Sequence, residues 1–410
     1  MRPWCRAALH TLMLFLALGS PLGAQRPIDW SAKPVFLMTM GQGTEVFERF
    51  GHNAIVVWDD VMGQPLVYNW GMFDFDQPNF IARFLTGDTK YWMEPHTLEG
   101  TLAQYRQLNR TVTLQELRLT PTQKQTLVQR LATNALEANK FYRYDYYRDN
   151  CSTRARDAID AVTGGALARA MQAAPGQGSY RWHTRRLLGY STPLYLGSEL
   201  VLGVDADVPL TLWQEAFLPR SLSESVTRIQ LPAAEGLPAR ALAAPVDTLF
   251  RAARDAEPTT VTPRVAVAAL IGVVLGLLVL GMARIGKRSA SIAIGAWSLI
   301  SVMVGTVLLL AWFATQHVFM ANNPSVALLN PVWLLGVVAA VMTVRNGVTW
   351  KVRSALRWLL VAAALGAAAS LLLGHAVSAL ELAALVLPGH AAVVYAADRY
   401  RSSEQAAVRR

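Results

Sequence analysis

Cysteine is almost absent: the 410 residues contain two, Cys5 and Cys151. Cys5 falls in an opening made of Arg2, Arg6, an apolar run over residues 7–18 and small residues up to Ala24. That order describes a secretory signal peptide cleaved near Ala24, since the apolar run is shorter than the roughly 20 residues a spanning helix needs. An exported chain left with one cysteine can form no internal disulfide. Its lone thiol is then either a small buried hydrophobe or a reactive group. Also missing are a His/Cys/Asp cluster at metal-ligand spacing, a phosphate-cradling glycine loop, a dinucleotide fingerprint and an internal repeat. No cofactor is therefore expected. Charge is scarce too, at 16% of residues, and the formal net charge of +10 is unevenly placed. From Arg284 onward eleven Lys or Arg face Glu381, Asp398 and Glu404, a surplus of +8, and Arg2 with Arg6 supply the other +2. The exported stretch between is neutral and has no basic stripe to neutralise phosphates, which excludes nucleic acid as a partner.

Long hydrophobic runs are plentiful beyond about residue 264. Five apolar stretches, near 265–283, 289–314, 327–344, 356–374 and 378–397, are each long enough, or nearly so, to cross a bilayer. Arg284, Lys287 and Arg288 separate the first two; Arg345, Lys351, Arg353 and Arg357 separate the third and fourth; Arg399, Arg401, Arg409 and Arg410 follow the fifth. The connections at 315–326 and 375–377 carry no Lys or Arg. The alternation predicts five spans, an exported amino-terminal part and a cytoplasmic tail over 399–410, with the lipid bilayer itself as a partner. Polar residues at the outer ends, His317, Asn322, Asn323, Asn330, His375 and Glu381, fit either the hydrated headgroup zone or a site for a lipid headgroup. His390 lies deeper, where a helix-packing hydrogen bond is its simplest role.

Residues 25–235 read as a mixed α+β domain, and 236–263, rich in Ala and Pro, as a linker to the membrane. Residues 35–40, 53–59 and 65–71 are strand-like, with Met62-Gly63-Gln64 as a hairpin turn, and 111–119 is a further strand candidate. Thr120-Pro121 opens a helix as N-cap and first helical residue. Asp149 or Asn150 caps another that starts at Cys151 and stops before Gly164-Gly165. Cys151 thus stands in a first helical turn, where free N–H groups and the helix dipole favour a thiolate and can hold an oxyanion. His52 sits at the mouth of the 53–59 strand. A helix-start cysteine with a strand-borne histidine is the arrangement of papain-like thiol enzymes, here with the histidine first. Each residue alone also fits a purely structural role. Arg154 and Asp157 are placed to pair and hold the Cys151 helix.

The segments RFGHNAIVVWD, YNWGMFDF, PNFIARFLTGDTKYWM, NKFYRYDYYRDNCSTRARDAID and WQEAFLP resemble the Lnb N-terminal periplasmic domain family from about residue 30 to 235, and the membrane half is similar as well. The better understood relatives in that resemblance are bacterial lipoprotein N-acyltransferases. It implies an α+β fold in which a circularly permuted papain-like domain, of the NlpC/P60 and lecithin–retinol acyltransferase kind, precedes a five-helix transmembrane domain. It implies Cys151 as nucleophile and His52 as its base, in the inner membrane with the domain in the periplasm. A third group on the next strand would orient the imidazole; Asn69 and Asp74 are the candidates, because YNWGMFDF holds no second histidine. Asn53 and Asn150, flanking the pair, are candidate oxyanion or substrate contacts, and His317, Asn322 and Asn323 candidate headgroup contacts. The expected partners are a membrane phospholipid as acyl donor and a lipoprotein N-terminus as acceptor. The alternatives are an NlpC/P60-like peptidase or amidase acting on cell-wall peptide, and a non-catalytic scaffold.

Overall fold

The sheet takes shape from short β-branched runs. In the computed structural model, which describes residues 28–373 and 376–402, eleven strands occur. They are β1 (Phe36–Met40), β2 (His52–Asp59), β3 (Gln64–Met72), β4 (Tyr91–Thr97), β5 (Val112–Glu116), β6 (Phe141–Tyr142), β7 (Pro175–Ser179), β8 (Pro209–Thr211), β9 (Gln230–Leu231), β10 (Arg240–Ala241) and β11 (Asp247–Phe250). The expected signal peptide, Cys5, His375 and tail residues 403–410 lie outside the described residues. The described residues 28–34 belong to a unit of their own, in which a 3-10 turn, Trp30–Ala32, is capped by Asp29 accepting from the Ser31 N–H.

Seven strands form one antiparallel sheet in the order β11-β5-β1-β2-β3-β4-β6. Two-stranded ribbons, β7 with β8 and β9 with β10, stand apart. β2 is buried on both faces from Asn53 to Val57. The β2–β3 turn closes because Asp59 Oδ1 accepts the N–H groups of Val61 and Met62 at 2.9 and 2.7 Å, and Gly63 supplies φ +62°.

Nine helices accompany the sheet: α1 (Phe80–Thr86), α2 (Leu98–Gln107), α3 (Pro121–Ala135), α4 (Cys151–Val162), α5 (Ala166–Met171), α6 (Tyr180–Leu188), α7 (Thr192–Val201), α8 (Leu212–Glu215) and α9 (Pro219–Arg228). α3 begins where expected, with a Thr120–Gln123 capping box and Pro121 in its first turn. Ala155, Ile159 and Val162 of α4 join Ile55, Val57 and Trp70 of the sheet in one core. Each large apolar side chain so buried contributes about 1.5–3 kcal/mol. The stretch expected as a linker, 236–263, is built into the fold instead. β11 lies on β5, and β10 pairs β9, because a backbone that runs beside an open sheet edge gains a ladder of hydrogen bonds that a free tether lacks.

Among the described residues, five segments are long and apolar enough to cross a membrane. Their helices are α10 (Val265–Ile285), α11 (Lys287–Phe313), α12 (Leu334–Val344), α13 (Trp350–Leu372) and α14 (Ala376–Arg399). The third span departs from the expected single helix. Short 3-10 turns at Val318–Met320, Pro324–Ala327 and Pro331–Trp333 precede α12, because Pro324 and Pro331 lack the N–H a continuous helix needs and Asn323 and Asn330 cap the turns. α10 and α14 approach closely: a Cβ at Gly272 would overlap the Ala384 carbonyl, and one at Gly276 would meet Pro388 at 2.9 Å.

The sheet-containing part rests on these spans through α6 and α7. Arg185 donates to the buried Glu199 and, at 2.7 Å, to Ser378 of α14. The outer loop is tied in as well, with Gly203 N donating to Phe319 O at 2.7 Å.

Candidate functional site

Asn150 starts α4. Its Oδ1 accepts from the N–H groups of Ser152 (2.9 Å) and Thr153 (3.0 Å), and Thr153 Oγ1 accepts from Asn150 N in return. Such a cap is worth about 1 kcal/mol. The Asn150 Nδ2 donates to the Tyr146 and Phe217 carbonyls, so both ends of this side chain serve to place the helix. Asn53 does the same from the strand side. Its Oδ1 lies 2.8 Å from Ser152 Oγ, and its Nδ2 donates to Thr39 Oγ1 at 2.8 Å. The first turn of α4 is thereby pinned to β1 and β2.

Cys151 is buried, and the backbone N–H groups of Asn53, Ser152 and Cys151 itself lie near enough to its sulfur to favour the thiolate. The donor from β2 belongs to the peptide that joins His52 to Asn53, which brings the thiol against the histidine's own main chain. The strands leave room there. The β2–β3 register runs from Ala54–Asn69 to Asp59–Gln64, and the β3–β4 register breaks between Trp70 and Met72. Gly71, in that break, has φ +87°; a Cβ on it would stand 3.9 Å from the Cys151 Cβ and 3.5 Å from the Tyr144 ring. Burial pushes the thiol above its ordinary pKa, while the three N–H groups and the charge of Arg110 pull it back.

His52 Nε2 lies 3.2 Å from Asn69 Oδ1, and Asn69 Nδ2 donates to the Val67 carbonyl at 3.0 Å. The second bond fixes the amide, because only its NH2 can donate to a carbonyl. Oδ1 must then accept from the ring, so Nε2 carries the proton and Nδ1 is left with its lone pair. Burial lowers the imidazole pKa to about 4; the Arg110 charge acts the same way and the Asn69 bond opposes both. At neutral pH the ring is uncharged and able to accept a proton.

A stability consequence follows from that shift. Unfolded, the imidazole binds a proton near pH 6.5; folded, only near pH 4. Above the first value both states are neutral. Between the two only the unfolded chain is protonated, so stability falls as pH drops through this window, by on the order of 3 kcal/mol. His52→Gln is expected to flatten the decline of Tm between pH 7 and 4.5. A decline as steep as that of the wild type would show that other groups carry the acid sensitivity.

Arg110 is the residue that sequence reasoning missed. Its guanidinium is buried, donates to the Gly41 carbonyl (3.0 Å) and Glu48 (3.0 Å), and lies over the Tyr105 ring, while its Nη2 has no partner among the described residues. It is the cation felt by both His52 and Cys151. Nothing in Asn109-Arg110-Thr111 distinguishes it from a surface turn arginine.

The other expected site residues are placed elsewhere. Asp74 is exposed in the turn after β3, where its Oδ1 accepts from Asp76 N. His317 Nε2 lies 2.9 Å from the Phe84 carbonyl, and Asn322 adopts φ +52° in the same loop. Asn323 Nδ2 donates to the Leu200 and Val201 carbonyls, its Oδ1 accepting from Ser325 N, so it clamps the loop to α7. Arg154 and Asp157 do not pair with each other: Arg154 is bound to Asp149 and covers the Tyr142 ring, and Asp157 is bound to Arg156. His390 makes the packing contacts expected of it, to Trp297 Nε1 and the Leu328 carbonyl.

The Lnb N-terminal periplasmic domain matches residues 25–188, and the Lnb transmembrane domain matches residues 255–396. Comparison with curated proteins and with solved structures found no match. Carrying both domains in this order over about three quarters of its length, the chain belongs to the Lnb family and is a multi-pass membrane protein with a periplasmic domain.

Proposed function

We propose that this chain is an inner-membrane acyltransferase in which Cys151 is the nucleophile, His52 the base and Asn69 the group that orients the base. The observation that carries this reading is the thiol at the start of α4, held against the His52–Asn53 peptide, with an imidazole whose tautomer Asn69 fixes. We read the domain around it as a circularly permuted papain-like fold. The five apolar spans support a lipid donor, since both substrates then reside in the bilayer and proximity supplies much of the advantage.

In the first half-reaction His52 Nδ1 takes the Cys151 proton and the thiolate attacks an ester carbonyl of a phospholipid. N–H groups beside the sulfur stabilise the developing oxyanion. The carbon–oxygen bond breaks, the imidazolium returns its proton to the leaving alkoxide, and a lysophospholipid departs, leaving the acyl group on sulfur. In the second half-reaction the amino group of a lipoprotein's N-terminal cysteine attacks the thioester. His52 accepts the amine proton, the carbon–sulfur bond breaks, and the proton returns to the thiolate as the amide is released. Export by a signal peptide at 1–24 and a cytoplasmic tail at 399–410 complete the proposed topology.

The test is intact mass spectrometry of lipoprotein N-termini in cells that lack their own N-acyltransferase and express this chain. A gain of one acyl chain per lipoprotein is expected. No gain with well-expressed protein would sink the lipoprotein reading and turn attention to cell-wall peptides as substrates.

A further inference from the structure

We propose that α1 and the aromatic residues beside it lie in the outer leaflet of the bilayer and form the path by which a lipid acyl chain reaches Cys151. α1 is two turns long and exposes Ile81 (72%), Phe84 (50%) and Leu85 (64%), with Phe75 (67%) and Phe47 (57%) alongside. A contiguous apolar patch of this kind is unfavourable in water and marks a surface that meets a partner. Its attachment points to lipid as that partner. Gln316 N donates to the Thr86 carbonyl at 2.8 Å, and the His317 ring bonds the Phe84 carbonyl. Gly87, at φ +74°, packs so close that a Cβ would stand 3.1 Å from the backbone at Gln316 and His317. Gln316 follows shortly after Phe313, the last residue of α11, whose exposed ring stacks on Trp312 at 4.9 Å. Paired aromatics at a span's end sit at the membrane–water interface. α1 is thus held at the depth where α11 leaves the bilayer, with its apolar side chains uncovered.

From α1 a row of rings leads inward. Phe84 stacks on Phe80 (6.2 Å), Phe80 on Phe73 (6.0 Å), Phe73 on Tyr91 (5.1 Å) and Tyr91 on Tyr144 (4.5 Å). Tyr144 and Cys151 face one another across Gly71, which has no side chain to fill the space between them. The row therefore leads from α1, held at the outer end of a span, toward the thiol past apolar ring faces of the kind that suit a methylene chain. Placement of α1 in the leaflet stands by itself; its use as an acyl path rests on the acyl-transfer reading above.

Placement is tested in the full chain reconstituted in phosphatidylcholine vesicles, with an environment-sensitive nitrobenzoxadiazole label as the probe. The label is attached in an Ile81→Cys variant, and separately in a Val61→Cys variant, both carrying Cys5→Ser and Cys151→Ala. Val61 is 94% exposed at the hairpin tip, at the end of β2 remote from His52. Doxyl-labelled lipids are expected to quench the label at 81 and not at 61. No quenching at 81, or equal quenching at both, would overturn the placement, leaving solvent or a protein as what α1 meets. The path is tested with Phe80→Asp on otherwise unaltered protein. Thioester formation from a palmitoyl donor is expected to fall about tenfold more than formation from a butyryl donor. Equal losses would overturn the path. Absence of thioester in the wild type with both donors would defeat the acyl-transfer reading, and the quenching result would still decide where α1 lies.

Discussion

Cys151→Ala is expected to abolish formation of a hydroxylamine-sensitive acyl-enzyme and to lower transfer by about 10^4-fold or more. The expectation is this large because the sulfur is the group on which both proposed half-reactions turn, and among the described residues no other thiol exists. Burial keeps the thiol protonated at rest, so its reactivity depends on the neutral imidazole attached to the same peptide. His52→Gln is expected to cost about 10^2–10^4-fold, and to leave a residual rate that climbs steadily with pH as the thiol ionises unaided. Intact protein mass after incubation with phospholipid vesicles reads both variants directly. Wild-type acylation in well-folded Cys151→Ala protein would remove Cys151 from the chemistry and favour a scaffold role for the domain.

Glu199→Ala is expected to destabilise the protein by about 3–5 kcal/mol, the largest structural effect of any single polar substitution considered. Glu199 is buried, receives two N–H groups of Arg185 and lies near Arg181, itself buried and bonded to the Leu202 and Gly203 carbonyls and to Asp207. Removal of the carboxylate leaves the Arg185 guanidinium in low dielectric without its ion-pair partner, while Arg181 keeps only the Asp207 carboxylate. Because Arg185 also reaches Ser378 of α14, the loss acts where the periplasmic domain meets the spans. The comparison is Glu224→Ala, which breaks an exposed pair with Arg220 and is expected to change stability by no more than about 0.5 kcal/mol. Thermal unfolding in detergent measures both. Similar small shifts for the two variants would mean that water reaches Glu199 and that the cluster is not the junction's support.

Much of this protein is written in short-range patterns. The hairpin between β2 and β3, the Thr120 cap of α3 and the start of α4 at Cys151 were legible because turns, caps and alternation involve residues a few positions apart. The five apolar runs and the basic residues between them were legible for the same reason. The candidate pair was visible as residue types in suitable local settings, a cysteine at a helix start and a histidine at a strand mouth.

What remained hidden depends on residues distant in the chain. Asn69 rather than Asp74 meets His52 because β3 lies beside β2 in a register that pairs Ala54 with Asn69, and Asp74 falls past the end of that strand. Arg110 enters the site from a turn after α2, and only packing removes it from water. Asn53, Asn150 and Asn323, attractive as polar residues near a site or a membrane, prove to hold backbone and side-chain partners up to 123 positions away. The supposed linker joined the sheet because an open edge at β5 was there to accept it.

The sequence by itself determined the division into an exported domain and five spans, the local elements and the two chemically suited residues, since burial preference, charge placement and capping are properties of neighbours. Tertiary structure alone decided the imidazole's tautomer, the burial of Arg110, the gap at Gly71 and the ring row from α1 to Tyr144 beside Cys151. Each of these is a contact between segments whose meeting is set by sheet register and packing, and those are fixed by the whole chain at once.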